Sequence, residues 1–441
     1  MKIFRKIFPG IIICFLILAL FTCKKANELT PMNLPTGSVI FIHPDGSGAA
    51  MWAGLRMLDI GPDGMLNWDH MERLGVYRGH LANSVSSSSN GGATTHAYGV
   101  KATYQSYGTY NKLPITSLSG KNYSIMMEAK KAGKAVALIN SGHLCEPGTG
   151  AFVASYPNRQ MTDTISYQII HSGADIILSG GETLLLPEGE MGRHGEPGIR
   201  KDGRNLIEEA INLGYSVVYT HDELKNISVQ TEKLLGVFAP RHTFNDKPEE
   251  VLQRENLPLY FETSPSTAEM TEIALKILEA KGKDFMLVVE EEGTDNFSNA
   301  NNATGAFEAL RRADAAIGAA IQYIERHPST LLITAADSDA GGMQMLGIRD
   351  SLEFGKPLPP QMYNGAPLDG RNGTYSLPFI TAPDKSGNRL FFGVCWAGTA
   401  DLNGGVIAKA HGLNASFLPK NVDNTDIYRI MYATLFGIWL E

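Results

Sequence analysis

The chain has 441 residues, 43% of them hydrophobic, 9% aromatic and 19% charged, a composition that excludes a disordered chain. With 38 Lys and Arg against 46 Asp and Glu the net charge is -8, and no basic stripe interrupts it, which excludes nucleic acid as a partner. Only four cysteines occur, with Cys14 and Cys23 in or beside the N-terminal segment, so a disulfide scaffold and a cysteine-rich zinc site are excluded; a chain this long buries roughly three quarters of its unfolded surface without either.

Lys2, Arg5 and Lys6 precede an apolar run from Ile11 to Phe21, the layout of a secretory signal over residues 1–22, too short for a comfortable membrane span. Leu20-Phe21-Thr22-Cys23 resembles a bacterial lipoprotein processing site. That resemblance implies a lipid-anchored Cys23 and a body outside the cytoplasmic membrane, periplasmic or held at the outer membrane, touching a bilayer only through the anchor. Residues 23–36, with Asn27, Pro31, Asn33 and Pro35, read as a tether, and residues 37–441 as a single domain.

Short apolar runs rich in β-branched residues then recur at Ser38 to His43, Ala135 to Asn140, Asp175 to Ser179, Ser216 to Thr220, Asp284 to Glu290 and Thr330 to Ala335. Their near-continuous hydrophobicity suits parallel strands buried on both faces. Helical patterns lie between them. Thr267 to Lys281 follows a capping Ser266 or Thr267, carries Met270, Ile273, Ala274, Ile277 and Leu278 on one stripe, and stops at Gly282. A second helix runs from about Ala303 to Arg326 and stops before Pro328. The alternation predicts an α/β fold, a three-layer α/β/α sandwich with a central, mostly parallel sheet. Residues 339–383, rich in Gly and Pro, read as a long loop excursion near the functional edge.

Three of these strands run into acids: the first into Pro44-Asp45-Gly46, a later one into Glu290-Glu291-Glu292 and Asp295, the last into Asp337-Ser338-Asp339. Ligands of open α/β sheets gather beyond the carboxyl ends of the strands. Carboxylates gathered there repel one another unless cations neutralise them, so several metal ions are the natural counterpart. A second signal is the run from Ser86 through Ser89 to Lys101. A serine opening a small-residue helix sits where free N–H groups and the helix dipole favour an anion, and it becomes a nucleophile towards phosphorus when a metal lowers its pKa.

The order of these elements resembles the alkaline phosphatase family. Ser89 to Thr94 has the spacing of its nucleophile pattern, with Gly99-Val100-Lys101 following; Gly150 to Arg159 resembles the segment ending in its phosphate-gripping arginine; Glu290 to Asp295 and Thr334 to Ser338 resemble its metal-binding strand ends; Asp401 to Gly405 and Ala410-His411-Gly412 resemble its last ligand loop. The resemblance covers residues 36 to 441. It implies that the protein hydrolyses small phosphate esters, with Ser89 forming a phosphoserine that is then hydrolysed and with Arg159 holding the phosphate by its planar fork. Asp45 would bridge a magnesium site and the metal that activates Ser89, Asp337 and Ser338 would complete that second metal, Asp295 would serve a first metal on the leaving-group side, and Glu290 would bind magnesium. Thr149 would join it through a one-residue shift from Gly148, with Glu146 as an outer acid. Dimers are common in the family, so a homodimer is expected.

At three positions where the family carries zinc-binding histidines this chain has Asn299, Ser338 and Asn403, and none of its eleven histidines obviously substitutes, although His43, His96 and His143 lie near the motifs. Imidazole suits zinc, whereas carboxylate, amide and hydroxyl oxygens suit calcium, magnesium or manganese. The expectation is therefore a centre rebuilt with oxygen ligands, with Asp339 as a further candidate, with magnesium at one site and either zinc, as in the family, or calcium, manganese or magnesium at the other two. The alternatives are a surface homologue that binds phosphate without turnover, and a phosphodiesterase or sulfatase relative suggested by Ser155-Tyr156-Pro157-Asn158-Arg159.

Overall fold

A computed structural model describes residues 34–441; the expected signal segment, the expected anchor at Cys23 and most of the expected tether lie outside the described residues. Ten strands form the main sheet: β1 Ser38–Pro44, β2 Arg73–Arg78, β3 Ala135–His143, β4 Ile176–Gly180, β5 Ser216–Val218, β6 Leu234–Val237, β7 Phe285–Glu291, β8 Thr330–Thr334, β9 Ile407–Gly412 and β10 Asn421–Asp423. They lie in the order β10-β2-β9-β8-β1-β7-β3-β4-β6-β5. All run parallel except β9, which pairs antiparallel with both β8 and β2.

The continuous apolar strands are those with a core on each side. In β1 the side chains alternate: Val39 and Phe41 enter one apolar cluster, Ile40 and Ile42 the other, and all four are buried. The first cluster is closed by helices that include α2 Ser89–Tyr98 and α5 Asn424–Phe436; the second by α1 Ala49–Asp59, α3 Thr267–Ala280 and α4 Ala303–Arg326. This is the expected three-layer α/β/α sandwich. Helices α3 and α4 form where their stripes and caps predict. Ser266 and Glu269 make a reciprocal capping box, and Asn302 accepts from the Gly305 N–H at 2.6 Å to start α4.

The reading of 339–383 as loop is corrected. Gln344–Ile348, Leu368–Gly370, Gly373–Thr374 and Phe379–Ile380 join Phe391–Cys395 in a five-stranded antiparallel sheet. Its strands are two to five residues long, too short for a periodic signal. Trp396, buried beside this sheet, ties it together by donating to Asp369 at 2.6 Å.

Ser266→Ala removes the cap of α3, and a loss of about 1 kcal/mol is expected in denaturant unfolding. Metal content should not change, because α3 packs on the sheet face and only supports the strand ends.

Candidate metal centre

Parallel register brings the site together before any loop is considered. His43 on β1, Glu290 on β7 and Asn140 on β3 are paired neighbours across three adjacent strands. Just beyond β1 comes Asp45, and just beyond β8 comes Asp337, so five polar side chains converge within a sheet edge whose strands stand roughly 5 Å apart. All five are at least 98% buried. Gly46 turns the chain after Asp45 at φ +65 and packs so closely on Asp295 that a side chain there would overlap its carboxylate.

Two groups whose ligand atoms lie within 4.8 Å of one another share Asp45: His43, Asp45 and Asp337, and Asp45, Glu290 and Glu292; a third group joins His143, Glu146 and His242. Both oxygens of Asp45 and of Asp337, one each of Glu290 and Glu292, the Ser338 hydroxyl and His43 Nε2 are buried without a hydrogen-bond partner. Orphaned buried carboxylate oxygens in this number are costly in a bare protein and are what divalent cations satisfy. Burial, reinforced by the charge of Asp45, pushes Glu290 up to about 8 and raises Asp337 well above the carboxylate range; Glu292 is raised by burial and by Glu146 and Glu290. Burial alone would raise Asp45 too, but the charge and hydrogen bond of His43 prevail and hold it near 2, with the Ser89 hydroxyl also beside it. Burial would lower His43, yet its pairing with Asp45 lifts it to about 9.

His43 is the residue whose part sequence reasoning missed. Its Nδ1 lies 2.6 Å from the Ala335 carbonyl and its Nε2 3.1 Å from Asp45 Oδ1. A ring nitrogen anchored on a backbone carbonyl while the other faces carboxylates is the usual posture of a metal-binding imidazole. His43 Nε2 thus stands among the candidate ligand atoms, a nitrogen beside the oxygen donors that the sequence led us to expect. The signal was present in the strand alternation, which sets residue 43 on the same side as residue 45.

The other expected metal residues divide. Ser338 and Asp337 belong to the His43 group. Asn140 donates to both Glu290 and, at 2.9 Å, to Thr149, so Thr149 reaches Glu290 through Asn140, while Gly148 abuts the Glu290 carboxylate and leaves no room for a Cβ. Asn403 is exposed; Asp401, two residues earlier, stands in its place beside Asp295. Asn299 presents its amide nitrogen, donating to both oxygens of Asp295 at 3.2 and 3.0 Å and to Asp401 at 2.9 Å. Asp339 is enclosed by the Gly48 and Gly404 backbones and lies in none of these ligand groups.

Ser89 is the first residue of α2, and Ser88 caps it: Ser88 Oγ accepts from the Gly91 N–H at 3.2 Å and donates to the Tyr104 carbonyl at 2.6 Å. That leaves Ser89 as the hydroxyl beside Asp45. Arg159 donates to Glu146 at 3.0 Å, and Glu146 meets His143 at 2.9 Å on its other oxygen, so the guanidinium is propped from behind while 41% of its side chain stays exposed. Glu146 is held well below the usual carboxylate range because His143 and Arg159 outweigh its burial. Ser155, by contrast, donates to the Gly108 carbonyl at 2.6 Å.

A family model described as alkaline phosphatase matches residues 37–356. The alkaline phosphatase of Gadus morhua is 27% identical over 353 residues, 72% of either chain. The chain spans between 46% and 72% of the lengths of the curated relatives it matches. Among solved structures, the Thermus thermophilus alkaline phosphatase is 21% identical with a TM-score of 0.71, covering 94% of this chain and 95% of that one. A variant of the alkaline phosphatase from the Antarctic bacterium TAB5, with Mg bound in its M3 site, is 17% identical with a TM-score of 0.68 over 92% of this chain and 100% of that one.

The crowded acids predict a distinctive stability profile. Glu290 binds its proton up to about 8 when folded, against roughly 4.3 unfolded, and His43 up to about 9 against roughly 6.5. Both contribute stability that is present at low pH and lost as pH rises through those values. Chelator-treated protein should therefore melt progressively lower from about pH 5 to 9, and the gap to metal-loaded protein should widen over that window in parallel thermal melts. A gap that is constant with pH would contradict this.

Proposed function

The chain belongs to the alkaline phosphatase family, and on that premise we propose that it is a metal-dependent phosphomonoester hydrolase acting through a phosphoserine on Ser89. The observation that carries the proposal is the convergence, beside one buried acid cluster, of a helix-starting serine, orphaned carboxylate oxygens and a half-exposed arginine. Divalent cations held by His43, Asp45, Asp337, Ser338, Glu290 and Glu292 would lower the pKa of the Ser89 hydroxyl and neutralise phosphoryl oxygens.

The chain's own residues supply the rest. The Arg159 fork donates to two non-bridging oxygens of the phosphate, and Glu146 keeps that fork from turning away. The N–H groups of Ser89 and Asn90 open α2, where no helical carbonyl precedes them, and the helix dipole favours the anion there. Ser89 Oγ attacks phosphorus from the side facing Asp45; the new O–P bond forms as the ester O–P bond breaks, the Ser89 proton passes to water, and the departing alcohol takes a proton from water, so the proton count is unchanged. In the second half, water attacks the phosphoserine and returns Ser89 with inorganic phosphate. We further propose that it works outside the cytoplasmic membrane, tethered through Cys23, on small phosphate esters, and as a homodimer.

Turnover of an aryl phosphate is the direct test, run with Mg, Mn, Zn and Ca singly and in pairs. Ser89→Ala should fall by about 10³-fold or more to the metal-only background, in keeping with loss of a covalent nucleophile. Arg159→Ala should raise KM far more than it lowers kcat if its main task is holding phosphate. If no metal combination lifts the wild type above Ser89→Ala, the enzyme reading fails and a phosphate-binding surface protein takes its place; competition by inorganic phosphate in a binding assay would then identify it.

A further inference from the structure

The acids of the centre fall into two electrostatic classes, and the difference bears on where a cation can sit. Asp45, Asp337, Glu290 and Glu292 carry orphaned buried oxygens, and they are the acids of the two ligand groups that share Asp45. Asp295 and Asp401 do not. Both oxygens of Asp295 and Oδ1 of Asp401 accept from a single donor, the Asn299 amide nitrogen, at 3.2, 3.0 and 2.9 Å.

The orientation of that amide is fixed independently. Asn299 Oδ1 accepts from the Gly341 backbone N–H at 3.1 Å. An amide N–H can only donate, so the atom facing it must be the carbonyl oxygen, and the amide nitrogen must face the carboxylates. Turning Asn299 to offer its oxygen to a cation would set its NH2 against the Gly341 N–H, donor against donor. Gly341 is in turn held by strand pairing next to it, where Asp339–Ala340 meets Asp401–Leu402. Asn299 is thus a neutral bridge between the two acids. An amide nitrogen with two hydrogens is not a metal ligand, and Asn403 is exposed rather than turned in as a replacement.

We propose that this position is closed to a cation by the Asn299 amide, which holds Asp295 and Asp401 together from the place a third ligand would need. Burial and the neighbouring Asp401 raise Asp295 well above the carboxylate range, so the pair shares a proton and the amide where a bound cation would otherwise neutralise it.

One measurement tests this. Protein carrying His242→Ala, which takes a ligand from the His143, Glu146 and His242 group, is saturated with Mn or Zn, freed of unbound ion by gel filtration and assayed for metal per chain, with no substrate present, beside the same protein carrying Asn299→Asp or Asn299→His, each of which turns the bridge into a ligand. One more ion per chain is expected in an Asn299 variant than in its parent. No increase in either folded variant overturns the closed position. If neither variant folds by circular dichroism, the parent count decides: two groups then remain, so more ions than those two groups hold overturns the closed position and no more upholds it.

Discussion

Buried carboxylates that share one pocket cannot all be ionised unless something positive sits among them, and the rest of this structure is arranged around that constraint. Asp45, Asp337, Glu290 and Glu292 are buried and have too few donors. In a bare protein Glu290, Glu292 and Asp337 are pushed by burial and by their neighbours' charge towards holding protons, while Asp45 keeps its charge against His43. The sheet tolerates them because they lie at strand ends, beyond the two apolar layers that supply the folding free energy. A large core can carry a small, electrostatically unfavourable rim.

The same constraint explains which neighbours these acids have. The acids are met by different devices: Asp45 by the charge of the His43 imidazole, Glu146 by His143 and Arg159, Asp295 and Asp401 by the Asn299 amide and by each other. Orphaned oxygens remain on Asp45, Asp337, Glu290 and Glu292, where hydrogen-bond donors run short. Close backbone approach is part of the device. Gly148 abuts Glu290, so a hydroxyl-bearing side chain cannot occupy that position, and Asn140 serves as the link to Thr149 instead.

Much of the fold was legible because a strand buried on both faces leaves a continuous apolar run, and β1, β3, β7 and β8 are such strands. Strand β2 was not, since Leu74 and Val76 point outward at 60% and 53% exposure and the remaining pattern is too short to declare a period. Nor was the small sheet around Phe391–Cys395, whose strands are separated by Gly and Pro turns. In the centre, residue type and order exposed the acids and Ser89, but not distances. Asp401 and Asn403 are two residues apart on one loop, and only the pairing of Asp401 with Ala340 decides which of them faces Asp295. His43 was visible as a histidine near a motif; what gives it meaning is the Ala335 carbonyl, 292 positions away in sequence.

Three consecutive glutamates show how little residue type alone decides. Glu290, Glu291 and Glu292 are all buried within 3% exposure, and all three are pushed up by burial. Glu291 nevertheless accepts from Ser141 at 2.6 Å, Tyr260 at 2.8 Å and Thr267 at 2.6 Å, which ties β7 to β3 and α3. Its hydrogen-bonding capacity is met by hydroxyls, so it has no need of a cation and serves as a strut. Glu290 points to the other face of the strand, and Glu292, in helical conformation just past the strand end, joins it there; each keeps an orphaned oxygen. The same carboxylate is a structural post where three hydroxyls surround it and a candidate ligand where they do not; the strand period separates Glu291 from Glu290, and the turn out of the strand brings Glu292 back beside Glu290.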